Sequence, residues 1–377
     1  MPLPAVVPLE TQGMIYLDAN ASETLRPQAR EAMLSALDTV GNPSSVHAAG
    51  RAARRVLEAA REGVAACFGA APADVVFTSG GTEANALALH ALGAGRRMII
   101  GATEHDAVRA AAPAGSVLLP VDGRGVADLS VLAALLAEGP ALVCLMLANN
   151  ETGVLHPVAE AAALCRAHGA LLHVDAVQAA GRMAVDLRAL GADSLAVSGH
   201  KMGGPLGAGA LLLATDRAVA PLLAGGGQER GRRGGTPGLP AIAGLAAAAR
   251  AAVAGLADQA RLVELRDAIE AAAVAAGAVV AGMGAPRLGN TTCLALPGVR
   301  AETQVIALDL AGFQVSAGAA CSSGKVAASH VLLAMGLEAL AGSAVRVSLP
   351  WNARAEDAER FAAAYLEMAR RLSRRAA

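Results

Sequence analysis

The 377-residue sequence predicts an α/β fold, a mainly parallel sheet with crossover helices followed by a smaller α+β region. Short runs of Val, Ile and Leu, of strand length, alternate with helical stretches between about residues 75 and 213. Polar residues follow the ends of these runs repeatedly, as they do along the carboxyl edge of a parallel sheet. Hydrophobic residues make up 54 % and aromatic ones only 2 %, so the core has to be built from Leu, Val, Ile and Ala.

In chain order, Met14 to Asp18 reads as a short strand that leads into a polar loop at Asn20. Residues 26–38 and 48–68 read as helices, separated by the breaker Gly41-Asn42-Pro43-Ser44-Ser45. The strand Val75 to Thr78 runs into Ser79-Gly80-Gly81-Thr82, where a helix opens that continues to about Leu92. Met98 to Ile100 is the next strand and stops at Thr103-Glu104-His105; Leu142 to Leu147 stops at Asn149-Asn150-Glu151. After a helix at 157–168 come the strand Ala170 to Val174, ending at Asp175, and Leu195 to Val197, which leads to Lys201. Ala208 to Leu213 is a further strand, and the Ala-rich stretch 241–281 reads as helical. From about residue 255 the pattern changes, with strands near 291–296 and 344–349 and a closing helix from 354. These shifts divide the chain into a large domain, 16–254, and a small one made of 1–15 with 255–377.

A formal net charge of -1 leaves no basic footprint for nucleic acid. No uninterrupted apolar run reaches the roughly 18 residues of a membrane helix. The opening MPLPAVVPLE has neither the positive start nor the apolar centre of a signal peptide. Five cysteines (Cys67, Cys144, Cys165, Cys293 and Cys321) show no CxxC spacing, so neither a zinc site nor a disulfide frame is indicated. The expectation is a soluble, cytoplasmic, metal-free protein without a nucleic-acid or membrane partner.

The chemistry centres on Leu195 to Gly204, where an apolar run breaks into Ser198-Gly199-His200-Lys201. Only two lysines occur in the chain, Lys201 and Lys325, and an arginine cannot form an imine because it stays protonated. Thr82, His105, Asn150, Asp175, Gln178 and Lys201 all follow strand ends, so a parallel sheet would gather them at one cleft. Any one of them alone reads as a helix cap or a structural residue. Ser79 to Thr82 ahead of a helix offers backbone N–H groups to a phosphate. It is neither the GxGxxG dinucleotide fingerprint nor a P-loop. Phosphate site, buried Asp175 and Lys201 together are what pyridoxal phosphate needs of a protein.

At these residues the chain resembles the class V, fold-type I pyridoxal-phosphate enzymes, specifically cysteine desulfurases of the NifS/IscS type. The matching stretches are FTSGGTEANALAL (77–89), TEHDAV (103–108), NNETG (149–153), HVDAVQAAG (173–181) and SGHKMGGPLGAGAL (198–211). GGGQERGRRGGT (225–236), SAGAACSSG (316–324), SHVLLAMGL (329–337) and VRVSL (345–349) continue them in family order. The resemblance implies a seven-stranded, mainly parallel sheet in the large domain, a small α+β domain carrying a cysteine loop, and a homodimer. It implies Lys201 as the Schiff-base lysine, Asp175 as partner of the ring nitrogen, and His105 stacked on the ring and moving protons. Gly81, Thr82, Ser198 and His200 would hold the phosphate, with Thr236 reaching in from a second subunit. Asn150 and Gln178 would contact the ring hydroxyl, Arg346 with Asn150 the substrate, and Cys321 would take its sulfur.

The implied reaction converts L-cysteine to L-alanine and leaves a persulfide on Cys321 for an acceptor or scaffold protein. That sulfur would go to iron–sulfur cluster assembly or another thiolation. A selenocysteine lyase or another class V aminotransferase is the alternative within the family, and a silent scaffold the alternative outside it. Two departures from the family pattern stand out. Ser22-Glu23 replaces the usual paired threonines, which would set a charge at the substrate mouth, and Lys325 follows Cys321 where the family commonly has Leu-Glu-Pro.

Overall fold

The computed structural model describes residues 13–215, 217, 219–318 and 328–376, and side chains as far as 372. Cys321 and Lys325 lie outside the described residues.

The chain opens with strand β1 (Ile15–Tyr16) and helices α1 (Pro27–Leu37) and α2 (Ala48–Cys67). Strand β2 (Val75–Thr78), helix α3 (Gly81–Leu92), β3 (Arg97–Gly101), α4 (Asp106–Arg109), β4 (Val117–Leu119) and α5 (Leu129–Leu136) follow. Next come β5 (Ala141–Cys144), α6 (Val158–Ala167), β6 (Leu171–Asp175), α7 (Leu187–Leu190), β7 (Ser194–Ser198) and β8 (Gly209–Leu213). These strands form one seven-stranded sheet in the order β2-β8-β7-β6-β5-β3-β4, in which only β8 runs against its neighbours. Crossover helices cover both faces, so β2, β5, β6, β7 and β8 are buried along their whole length. That burial is why they appear in the sequence as continuous apolar runs rather than as alternating patterns.

The Ala-rich stretch does not continue as one helix through 281. It forms α8 (Leu239–Ala254) and α9 (Gln259–Ala275), bent by 54° across Gly255 to Asp258. The break is a change of core. Leu245, Ala248 and Ala249 of α8 pack with the large sheet's core, whereas Leu262 and Ile269 of α9 belong to a second core. Among the described residues no single helix is long and apolar enough to cross a membrane.

The second core holds β9 (Val279–Val280), β10 (Thr291–Ala295), α10 (Ala301–Leu310), β11 (Phe313–Gln314) and β12 (Ser316–Ala317). Helix α11 (His330–Ala334) packs Val331 and Leu332 with Cys293 and Ala295 in a separate cluster, while strand β13 (Ala344–Ser348) and helix α12 (Ala355–Ala376) complete the second core. Its four-stranded antiparallel sheet has the order β12-β13-β10-β9. Phe361 meets Phe313 edge-on at 5.5 Å and lies 6.0 Å from Tyr365, placing three of the chain's few aromatic rings in this smaller core. Ile15 and Leu17 pack there too, and β1 pairs with β11. The loop after β1 is therefore carried from the small sheet across to the carboxyl edge of the large one.

Candidate active site

Strand β7 delivers Ser198 to the sheet edge, and a single 3-10 turn, Gly199–Lys201, turns the lysine over the cleft. Its Nζ donates to the backbone carbonyls of Asn20 and, at 2.8 Å, Ala21. The loop that receives it is fixed from the small sheet. Asn20 takes the Ser348 hydroxyl on its N–H at 2.9 Å, and its amide donates to Thr291 Oγ1 at 3.0 Å and to the Asn150 carbonyl at 3.1 Å.

Asp175 ends β6 and is 6 % exposed. Burial pushes its carboxyl up, and the Val177 N–H at 2.9 Å, His105, the Asn85 amide at 2.7 Å and Lys201 pull the other way. His105 caps α4, its Nδ1 accepting the Ala107 N–H at 3.0 Å. In the neutral ring the proton is thus on Nε2.

The turn after β2 curls because two glycines allow it. A Cβ on Gly209 would lie 2.6 Å from the Gly80 carbonyl carbon, and one on Gly81 would lie 2.7 Å from Val177 Cγ2. Helix α3 then starts at Gly81 with its first N–H groups unused within the helix. Glu83 in its first turn holds Ser79 N–H at 2.7 Å and Ser79 Oγ at 2.6 Å. Beside this helix start, Ser198 Oγ is buried without a hydrogen-bond partner. Burial, with Lys201 and Arg182 nearby, pushes His200 down to about 4, so it is neutral at pH 7; its Nδ1 meets Ser22 Oγ at 3.3 Å.

Gly81, His105, Asp175, Ser198, Lys201 and Arg346 lie around one cavity of about 330 Å³, within the usual size of a small-ligand site. Thr82, Asn150, Gln178 and His200 complete its lining from the sequence prediction. A larger opening of about 510 Å³ at the opposite edge of the sheet, near Arg96, Asp193 and Arg217, contains none of them. Arg346 on β13 is 4 % exposed; it donates to Asp18 Oδ1 at 2.6 Å and to the Asn150 carbonyl at 3.2 Å, and its Nε has no partner. Asn150 Oδ1 is likewise buried and unpartnered. Gln178 donates to the Asn20 carbonyl at 3.1 Å and accepts from Arg182, which leaves one amide hydrogen for the cleft.

One expectation changes. Glu23 does not put a charge at the cleft mouth: its side chain is 5 % exposed and faces a small separate cavity behind Lys201. Thr24 N–H binds it at 2.8 Å and the Arg182 guanidinium stands at 3.8 Å, because the 18–24 loop folds back onto the segment after β6. Thr236 is exposed and lines no part of this chain's own cavity. The loop before it is nevertheless firmly held. Glu229 is buried against Arg61 at 2.7 and 2.8 Å and the Phe77 N–H at 2.9 Å, and Arg233 pairs with Glu83 at 2.8 Å. Glu229 and Arg230 sit there at φ 48° and 59°, a left-handed geometry that side chains other than glycine's seldom adopt.

Sequence reasoning missed Asn85, Arg182, His173 and Glu151. His173 carried a signal: it lies two residues before Asp175 on β6, hence on the same sheet face.

The residues present suit pyridoxal 5'-phosphate. An orphaned hydroxyl beside free helix N–H groups calls for an anion, a carboxylate lies buried within the same cavity, and a lysine closes it. Fold and site thus define a pyridoxal-phosphate enzyme. The family description "Aminotransferase class-V" matches residues 15–361. A cysteine desulfurase of Cereibacter sphaeroides is 44 % identical over 359 residues, 91 % of this chain and 92 % of that protein. A NifS-like protein from Rickettsia africae has a solved structure that superposes with a TM-score of 0.87 at 34 % identity, covering 94 % of this chain and 99 % of that one. The structure titled SspA in complex with cysteine superposes with a TM-score of 0.75 at 28 % identity, covering 89 % and 98 %. The chain belongs to the class-V aminotransferase family and, within it, to the cysteine desulfurases of the NifS/IscS type.

Proposed function

We propose that the protein is a pyridoxal-phosphate-dependent cysteine desulfurase that converts L-cysteine to L-alanine and passes the sulfur to Cys321. The observation that supports it most is the convergence of Lys201, Asp175 and the unpartnered Ser198 Oγ on one cavity that Arg346 also lines.

Lys201 would hold the cofactor's aldehyde, and Ser198, Thr82, His200 and the N–H groups of α3 its phosphate. When bound, the cofactor supplies an electron sink that lets the α-proton and then the carbon–sulfur bond of L-cysteine be broken. Arg346 presents an unpartnered Nε, a donor suited to the substrate carboxylate, and Asp18 and the Asn150 carbonyl fix its fork. Lys201, once released, and His105 are the groups placed to move the proton at the α-carbon. The balance is L-cysteine plus the Cys321 thiol giving L-alanine plus a Cys321 persulfide. Burial raises the thiols of Cys67, Cys144, Cys165 and Cys293, so these four are poor thiolates, which supports Cys321 as the acceptor.

The exposed Thr236 on its braced loop supports a homodimer in which this residue serves the partner's cofactor site. A sulfur-acceptor protein, iron–sulfur cluster assembly as destination, a cytoplasmic location and the division at residues 254 and 255 belong to the same proposal. The selenocysteine lyase and aminotransferase readings are not favoured by the desulfurase relatives. The test is L-alanine production from L-cysteine with excess thiol reductant. Wild type is expected to form alanine and Lys201→Ala to lose at least about 1,000-fold in rate; equal rates, or no alanine from cofactor-loaded wild type, would overturn the reading.

A further inference from the structure

Behind Asp175 lies a chain of polar side chains that the reaction does not use. Asn85 Nδ2 meets Asp175 Oδ2 at 2.7 Å, Asn85 Oδ1 meets His173 Nε2 at 2.8 Å, and His173 Nδ1 meets Ser194 Oγ at 2.8 Å. Asn85 is 1 % exposed, and His173 and Ser194 are both 0 % exposed. They come from three elements, α3, β6 and β7, so the chain runs across the sheet.

The direction of every bond follows from its end. An ionised carboxylate only accepts, so Asn85 must turn its NH₂ towards Asp175 and its oxygen towards His173. That oxygen also only accepts, so His173 carries its proton on Nε2. Burial pushes His173 down to about 3, so the ring is neutral at pH 7, Nδ1 is bare, and Ser194 has to donate. No member can be reversed without setting two acceptors or two donors face to face.

We propose that Ser194, His173 and Asn85 form a one-way hydrogen-bond relay that positions Asp175 and keeps it an ionised acceptor for the cofactor's ring nitrogen. The proposal rests on the pyridoxal-phosphate reading of the cavity. Other charged and titratable groups face Asp175 from the surrounding elements: Glu104 and His105 at the end of β3, Cys144 on β5 and Lys201 after β7. Glu104 is held well above the usual carboxylate range, first by burial and then by Asp175, with one donor, the Met146 N–H at 2.6 Å. Asp175 has both the Val177 N–H and the relay, so of the two buried carboxyls Asp175 takes the charge. Asn85, His173 and Ser194 are positioning residues.

Two readouts test this without turnover. In the cofactor-free protein, nitrogen-15 spectra of labelled histidine should show His173 neutral with its proton on Nε2 from pH 6 to 8. In Asn85→Leu, which removes the acceptor that holds the proton on Nε2, the second tautomer, donating from Nδ1 to Ser194, should appear, whereas Ser194→Ala should keep the proton on Nε2. In the holoenzyme without substrate, the midpoint of the pH titration of the cofactor's visible absorbance should rise. The expected rise is roughly one pH unit for Asn85→Leu and about half of that for Ser194→Ala, because Asp175 loses a donor and becomes more basic. A charged or Nδ1-protonated His173 in wild type, or a folded Ser194→Ala with an unchanged midpoint, would overturn the relay. The histidine spectrum needs no cofactor, so it decides the relay even if the protein proves not to desulfurate cysteine.

Discussion

Glu151 carries the pH dependence that can be worked from the structure in most detail. It is 2 % exposed, and burial pushes its carboxyl up to about 7 from the ordinary 4.5, against the Ser329 hydroxyl at 2.6 Å and the nearby Arg346 and His105. Its folded-state value lies above its unfolded one, so the folded protein binds the proton more tightly. The stabilising contribution is complete below pH 4.5 and is lost as the pH rises through about 7. At about 1.4 kcal/mol for each pH unit, the rise from 4.5 to 7 makes the full loss about 3 kcal/mol. Roughly 2–3 kcal/mol of it falls between pH 5 and pH 8.

The perturbation is Glu151→Gln, which keeps the shape and has no proton to lose. Urea unfolding of both proteins at pH 5 and pH 8, at one ionic strength, gives the comparison, and every other titrating group cancels in the difference. The variant is expected to gain roughly 2–3 kcal/mol on wild type between the two pH values. A stability difference that stays constant within about 0.5 kcal/mol, or changes in the opposite direction, would refute the reasoning.

Two further outcomes follow from unpartnered atoms. Ser198→Ala removes a hydroxyl that has no partner within the protein, so the cofactor-free protein should keep its stability within about 0.5 kcal/mol while cofactor affinity falls about tenfold. Unfolding curves and cofactor titration check both halves, and a large stability loss with unchanged affinity would count against the phosphate assignment. Arg346→Lys replaces a planar fork by a point charge, and kcat/KM for L-cysteine should fall roughly 10- to 100-fold, chiefly through KM. An unchanged KM in steady-state kinetics would remove Arg346 from the substrate site.

Much of the fold was legible because burial on both faces writes β5, β6, β7 and β8 as plain apolar runs, with their turns marked by glycine and polar residues. Lys201 was legible because lysine is so scarce here. Glu23 was not: its surroundings come from Arg182 after β6 and Trp351 after β13, and no local pattern records that long-range packing. The bend between α8 and α9 was hidden because alanine serves either core equally well. His173 and Asn85 each look like ordinary core polar residues until β6 and α3 are placed side by side. Thr236 is exposed and lines no part of this chain's own cavity, so no contact within the chain marks it.

The most direct test is to give the holoenzyme one equivalent of L-cysteine and follow both alanine and the mass of the peptide that contains Cys321. The account predicts one alanine for each enzyme and the mass of one added sulfur atom on Cys321, with neither in Cys321→Ser. Alanine formed equally by wild type and Cys321→Ser, with no sulfur on the protein, would contradict it.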